Sequence, residues 1–453
     1  MPTQTPQETQ TETTNLLSQL IQHDTTNPPG NETTAATWLK QNLTNEGFQC
    51  ELIESAPNRG SLITRLKGTG QKPRLLLLSH LDVVAANPKE WSVPPFSGAV
   101  KDGFVWGRGT LDMKGMTAIE AMTLKLLKRN HIPLKGDVIL AATADEEAGG
   151  VMGADFLTRN FPEKVFAEYV LNEGGGSSMP LKNKNLFTIN VAEKGLLWFR
   201  VRAGGFPGHG SVPSAADNAV MRMNHVVDCL GNYRAEVRFV PAVEQFLVEI
   251  GREDADLQPF ISRLLAAPEQ SDAILAELDK VSPDIAEEIR PRIRMTITPT
   301  IIHGGIKENI IPSECEAVFD CRVLPGQSTA EALEFVKKRL ADAGLTKLSF
   351  EVIQSQEPSE SPANTPLYQT ITNVLKDAEP NCEVVPLLMP GGTDSRFFRR
   401  LGSVCYGFHP LRSETIYGEK ATRREHGIDE RISVDNLVFG VQVLYETVKR
   451  FMT

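Results

Sequence analysis

Leu75-Leu76-Leu77-Leu78-Ser79-His80-Leu81-Asp82 is the stretch on which the reading of this chain turns. Its leucine run is too uniform for a half-exposed strand, so the segment is predicted as a strand buried on both faces, of the kind found inside a parallel sheet. Such an interior has no use for an imidazole or a carboxylate. His80 and Asp82 therefore belong at the carboxyl edge of the sheet, where open α/β folds place their chemistry. His80 is the first candidate metal ligand, although a lone His-x-Asp fits a capped histidine at a strand end equally well.

Two further apolar segments end in the same way. Asp137-Val138-Ile139-Leu140-Ala141-Ala142-Thr143 runs into Ala144-Asp145-Glu146-Glu147, and 167–171 runs into Asn172-Glu173. Between them, after Asp112-Met113-Lys114-Gly115, an apolar-periodic helix extends to about Asn130. Helices are also expected at 15–23, 32–46 and 434–451. Strands alternating with helices argue for an α/β fold, a mostly parallel sheet flanked by helices. From about Gly195 the pattern changes to alternating strands at 196–201, 292–302, 314–323 and 348–353, with helices at 215–230 and 329–343 and a charged helical stretch at 253–289. That texture describes an inserted α+β domain. The expected division is a disordered tail at 1–14, a first catalytic part at 15–194, the insertion at 195–356 and a second catalytic part at 357–453.

A chain of 453 residues exceeds what one core organises, and its 41% hydrophobic share supplies two. The 47 basic and 57 acidic residues give a net charge of -10, and no block of lysines or arginines gathers the positive charge. A nucleic-acid partner is set aside on that ground. The six cysteines include no Cys-x-x-Cys pair, which fits a reducing compartment rather than a disulfide framework. Residues 1–14 lack the charge and apolar core of a signal peptide, and no run is long enough to span a bilayer. The expectation is a cytoplasmic protein with no membrane partner.

Together the strand ends and one late histidine offer His80, Asp112, Glu146, Glu147, Glu173 and His426. Two imidazoles with several carboxylates and no thiolate suit zinc, cobalt or manganese. Two metals sharing a carboxylate would use five of these residues and leave one. If Glu147 holds a metal, its neighbour Glu146 is free to act as general base, with a pKa drawn toward neutrality by burial and nearby carboxylates. Asp82 has a use in accepting the free ring N–H of His80. His409, in Tyr406-Gly407-Phe408-His409-Pro410, is the reserve should His426 fail.

Ser79-His80-Leu81-Asp82-Val83-Val84, Trp106-Gly107-Arg108-Gly109-Thr110-Leu111-Asp112-Met113-Lys114-Gly115, Asp145-Glu146-Glu147 and Gly391-Gly392-Thr393-Asp394 resemble the zinc aminoacylase and carboxypeptidase family, which contains acetylornithine deacetylase, succinyl-diaminopimelate desuccinylase, aminoacylase and bacterial glutamate carboxypeptidase. The likeness covers nearly the whole chain in order. Trp91-Ser92-Val93-Pro94-Pro95-Phe96-Ser97-Gly98 is most similar to the carboxypeptidase S branch. The resemblance implies a zinc-peptidase-like catalytic domain with an inserted lid and dimerisation domain. It makes Asp112 the bridging ligand, completed by His80 and Glu173 on one side and by Glu147 and His426 on the other, with Glu146 as base and Asp82 behind His80. It also implies a cis peptide at Asp112-Met113, and an oxyanion donor at His209, in Gly208-His209-Gly210-Ser211, acting across a homodimer formed through the insertion.

For substrate binding, Asn309 in Asn309-Ile310-Ile311-Pro312 resembles a family segment. Arg322 and Arg396 are candidates for a substrate carboxylate, since an arginine fork matches its two oxygens. Gly391 and Gly392 would let backbone approach a ligand. The reading is a di-metal amide hydrolase acting on N-acyl amino acids or short peptides with a free carboxylate. The alternatives are an inactive metal-binding scaffold, which could dispense with Glu146, and an aminopeptidase, which would need an acidic group for a substrate amine.

Overall fold

The computed structural model describes residues 5–416, 419–420 and 424–453. Its backbone divides into two units. One runs to Val191 and takes in Ser361–Leu387 and Thr393–Thr453; the other comprises Ala192–Glu360 and Leu388–Gly392. Gly391 and Gly392 thus fall with the second unit, outside the 195–356 span expected for the insertion.

In the first unit, β1 (Cys50–Glu54), β2 (Gly60–Leu66), β3 (Leu75–His80), β4 (Val138–Thr143), β5 (Tyr169–Asn172), β6 (Asn185–Glu193) and β7 (Val404–Gly407) form one sheet in the order β1-β2-β4-β3-β5-β7-β6. The four central strands are parallel, with Leu77 opposite both Leu140 and Leu171, and Tyr406 opposite Leu171. Antiparallel strands close both sides. Every residue of β3 and β4 is buried, as the unbroken apolar runs require. Each leucine buried in this way contributes roughly 1.5–3 kcal/mol. Ser79, the one polar residue before His80, donates to Glu120 Oε2 at 2.7 Å. Burial pushes the Glu120 carboxyl well up, so strand and helix meet there without a net charge.

The helix Lys114–Arg129 lies against β3 and the C-terminal helix Val434–Met452. A Cβ at Gly115 would fall 2.1 Å from the Thr110 carbonyl oxygen, so the turn into this helix admits only glycine. The disordered start expected over 1–14 is corrected: a helix spans Pro6–Ile21, and residues 1–4 lie outside the described residues. Thr5 and Glu8 cap it reciprocally, and Thr13, Leu16, Leu17, Leu20 and Ile21 bury one side. Its Thr- and Gln-rich composition hid that stripe.

The second unit carries an antiparallel sheet in the order Thr296–Gly304, Glu314–Val323, Gly195–Gly204, Leu348–Gln356. Glu314–Val323 alternates strictly, every second residue buried and those between half-buried or exposed, which is how a strand with one covered face reads. Helices Ala219–Gly231 and Thr329–Asp342 cover that face through Met223, Val226, Val336 and Leu340, and Phe199 stacks on Phe319 at 5.3 Å. The stretch 253–289 resolves into short helices, Gln258–Ala266, Ser271–Leu278 and Pro283–Ile289, following Pro241–Glu253.

Candidate metal centre and catalytic site

The parallel strands deliver their ends to one edge. β3 ends at His80, β4 leads into Asp145-Glu146-Glu147, and β5 leads into Glu173. Asp112 arrives on the loop before Lys114–Arg129, through a cis peptide to Met113 as the resemblance implied, and His426 comes from the segment 424–430.

Asp112 stands between the two imidazoles. Its Oδ1 lies 3.0 Å from His80 Nε2 and its Oδ2 2.9 Å from His426 Nε2. Glu173 Oε2 is 3.6 Å from His80 Nε2, and Glu147 Oε1 is 3.2 Å from His426 Nε2. Ligand atoms of His80, Asp112 and Glu147 lie within 4.8 Å of one another, as do those of His80, Glu146 and Glu173. The geometry brings together all six residues singled out from the strand ends and the late histidine. His409 is buried beside them and its Nε2 has no hydrogen-bond partner among the described residues; burial pushes its pKa down to about 4.

Electrostatics test whether such a cluster suits a cation. Burial and the charge of Glu173 push Glu146 well above the carboxylate range, and burial raises Glu173 to about 7 against the pull of His80. Asp394, whose Oδ2 accepts from Thr143 Oγ1 at 3.1 Å, is likewise raised to about 7 by burial. Burial opposes charge on His80, yet Glu173, Asp112 and Asp82 hold it protonated well above the usual histidine range. His426 rises to about 10 through its hydrogen bonds to Asp112 and Glu147. Carboxylates thus outnumber the available positive groups, and protons fill the deficit. Imidazole nitrogens and carboxylate oxygens with excess negative charge fit divalent cations of the zinc, cobalt or manganese kind.

Asp82 differs in detail from expectation. His80 Nδ1 lies nearer the Asp82 backbone carbonyl, 3.0 Å, than its carboxylate, 3.4 Å. That carboxylate instead accepts the N–H groups of Glu146 and Glu147, each at 3.1 Å, and Asn27 Nδ2 at 2.8 Å. Asp145, at φ 73°, takes Asn27 Nδ2 at 3.2 Å, Arg59 Nη2 at 2.6 Å and the Met152 N–H at 2.8 Å. Asn27, Arg59 and Asp145 therefore fix the turn that separates Glu146 from Glu147. Sequence reading gave them no role, because Asn27-Pro28-Pro29-Gly30 reads only as a helix break.

The arginines proposed for a substrate carboxylate are engaged otherwise. Arg322 holds Asp320 through Nε at 2.8 Å and Nη2 at 3.1 Å. Arg396 donates to the Thr393 and Gly149 carbonyls at 2.7 and 2.9 Å, with Nη1 3.9 Å from Glu146 Oε1. Its positive charge opposes the upward push on Glu146. A Cβ at Gly391 would meet only Met389 Cε at 3.8 Å, so the protein itself does not demand glycine there.

His209 is exposed on a short hairpin in which Gly208 and His209 pair with Ile311 and Ile310, and Gly210 N–H donates to the Asn309 carbonyl. His209 Nδ1 accepts the Ser211 N–H at 3.2 Å, which in the neutral ring leaves the proton on Nε2. Asn309 is exposed beside it in the same hairpin.

Comparison with known proteins places the chain in a family. Residues 76–450 match the family described as Peptidase family M20/M25/M40. The human protein described as N-fatty-acyl-amino acid synthase/hydrolase PM20D1 is 29% identical over 394 residues, 84% of this chain and 75% of its own length. Pig aminoacylase-1 is 25% identical over 438 residues, 94% of this chain and 92% of its own. The M20 family metallo-carboxypeptidase Sso-CP2 from Sulfolobus solfataricus superposes with a TM-score of 0.75 at 20% identity, covering 97% of this chain and 99% of that one. The Bacillus subtilis YXEP protein, described as a dinuclear metal binding peptidase of the same family, gives 0.59 at 13% identity, covering 98% and 99%. This chain belongs to peptidase family M20/M25/M40 and is a hydrolase. No helix among the described residues is long and apolar enough to cross a membrane.

Proposed function

We propose that this chain hydrolyses the amide bond of N-acyl amino acids, and of short peptides with a free carboxylate, using two divalent cations, zinc or else cobalt or manganese. His80, Asp112 and Glu173 would hold one, and Asp112, Glu147 and His426 the other. The observation that carries the reading is Asp112, which offers one oxygen to His80 at 3.0 Å and the other to His426 at 2.9 Å. Bound there, such ions supply Lewis acidity toward a carbonyl oxygen and lower the pKa of water toward neutrality.

The chain's own groups move the proton. Glu146 takes one from the attacking water as its oxygen bonds to the acyl carbon, and returns it to the nitrogen as the C–N bond breaks, giving a carboxylic acid and a free amine. Burial and Glu173 raise its proton affinity, which suits both halves of that task. Arg396 keeps the rise within bounds, and the Asp82 carboxylate holds the backbone of Glu146 in place. His209, with its proton on Nε2, is assigned the donor to the developing oxyanion, and Asn309 a contact to substrate. Likeness to the human N-fatty-acyl-amino acid synthase/hydrolase and to pig aminoacylase-1 supports N-acyl amino acids over peptides.

A homodimer through the second unit is proposed on the exposed edge strand Thr296–Gly304, where Ile301 and Ile302 stand open to solvent; light scattering of the purified protein tests it. The activity is tested by adding zinc, cobalt or manganese and offering N-acetyl amino acids against dipeptides with free or blocked ends. Amine release that requires a free carboxylate on the substrate is expected. No release under any of the three metals would favour a binding protein, and release that requires a free amine would favour an aminopeptidase.

A further inference from the structure

Arg108 and Glu430 form an ion pair across 322 residues of sequence, and both are buried. Glu430 Oε1 accepts three backbone N–H groups, from Gly109 at 3.1 Å, Leu111 at 2.7 Å and Asp112 at 3.2 Å. Its Oε2 meets Arg108 Nη1 at 2.5 Å, and Arg108 Nη2 donates to the Gly427 carbonyl at 2.9 Å. Thus one partner grips the amide of Asp112, and the other grips the residue after His426.

The pair sits where a short ladder ends. Phe104–Trp106 runs antiparallel to Arg431–Ser433, with Trp106 opposite Arg431, and Gly107 N–H donates to the Glu430 carbonyl at 2.9 Å. Beyond that point both chains leave the ladder. Asp112 lies four residues after Arg108, and His426 four residues before Glu430. His426 holds φ 58°, a left-handed conformation that costs a histidine of order 1 kcal/mol unless its surroundings impose it. The Arg108 hydrogen bond to Gly427 is such an imposition. His80 needs none of this, because it ends a strand paired with β4 and contacts the Asp82 carbonyl.

We infer that the Arg108–Glu430 pair is a positioning device that acts chiefly on the half of the centre made by Asp112, Glu147 and His426, where it holds both loops, and reaches the His80–Glu173 half only through the shared Asp112. The inference rests on the two-cation reading above. A buried ion pair is weak evidence for stability, because an apolar replacement of similar volume is often neutral or better. What an apolar pair could not do is hold three N–H groups of one loop and a carbonyl of the other.

Metal-free full-length wild type, Arg108→Met, Arg108→Lys and Glu430→Gln are titrated with Zn²⁺ against a competing chelator, with circular dichroism and melting curves as checks on folding. Wild type is expected to bind two ions. Arg108→Met and Glu430→Gln are expected to weaken one of the two by roughly 10–100-fold and the other, which shares only Asp112 with the loosened loops, by clearly less. Arg108→Lys, which keeps the charge but not the fork, is expected to fall between. Wild type binding fewer than two ions overturns the metal reading itself. Wild type binding two, with variants that keep both affinities or lose both equally, overturns only the positioning role. Failure of all three variants to fold also overturns it, since a device local to the centre would leave the core intact.

Discussion

His80 Nδ1 lies 3.0 Å from the backbone carbonyl of Asp82 and 3.4 Å from its carboxylate, so the main chain is the nearer support of the imidazole. Residue 82 therefore has separable duties. Its carbonyl steadies His80, and its side chain receives the N–H groups of Glu146 and Glu147.

Asp82→Ala is expected to keep the cation on the His80 side, because the carbonyl survives the substitution, and to lose activity, because the Glu146–Glu147 turn loosens. Each stranded N–H costs about 1–3 kcal/mol. Urea melts, metal content and kcat measured on one preparation check the separation; loss of the His80-side ion with an intact kcat would contradict it.

Glu146→Gln removes the proton carrier without removing a proposed ligand. Metal content should stay at two ions per chain while kcat falls roughly 10²–10⁴-fold. A variant that retains wild-type turnover would remove Glu146 from the mechanism.

The carboxyls and the exposed histidine of the metal-free centre should stabilise the fold less as pH rises. Glu173 and Asp394 have folded values near 7 against ordinary values of 4.5 and 3.8, and His426 has about 10 against 6.5. All three are raised, so at these groups the folded chain binds more protons than the unfolded one, while Lys114 and Lys194, lowered to about 7 by burial, pull the other way above that pH. Their stabilisation is complete below the ordinary values and is lost as pH climbs, through about 7 for the carboxyls and about 10 for the histidine. His426 is half exposed, so solvent screening reduces its share. Melting temperature followed from acid pH up to about 7 without metal should decline, and added Zn²⁺ should flatten the curve.

His209→Ala should lower kcat by roughly 10²–10³-fold with metal content unchanged, as loss of one oxyanion donor does. An unchanged kcat would leave the hairpin without a catalytic part.

Leu77→Ala should cost about 2–5 kcal/mol in a denaturant melt, since the side chain is fully buried between two parallel neighbours. A smaller cost would show that the sheet collapses around the deletion.

The sheet and the four residues that follow its strands, His80, Glu146, Glu147 and Glu173, were legible because their signals are local, whereas Asp112, ahead of a helix, and His426, in a charged loop, drew their assignments from the family resemblance. A uniformly apolar run names a buried strand, and a charged residue directly after it names the edge. The supports were not legible, because each depends on a partner far along the chain: Asn27 reaches Asp82 across 55 residues, and Arg59 reaches Asp145 across 86. The contacts of Arg322 and Arg396 were hidden for the same reason, since a sequence does not reveal that Asp320 or a carbonyl shares a guanidinium. The helix Pro6–Ile21 did announce itself, in Thr5 and Glu8 at capping-box spacing with proline between, but composition outweighed that signal.

β7 enters the sheet beside β5 only after the whole second unit has been made, and His426 meets Glu147 across 279 residues. On the ribosome, His80, Asp112, Glu147 and Glu173 all emerge well before that histidine exists. The Glu147–His426 side of the centre therefore waits for a segment made only after the second unit.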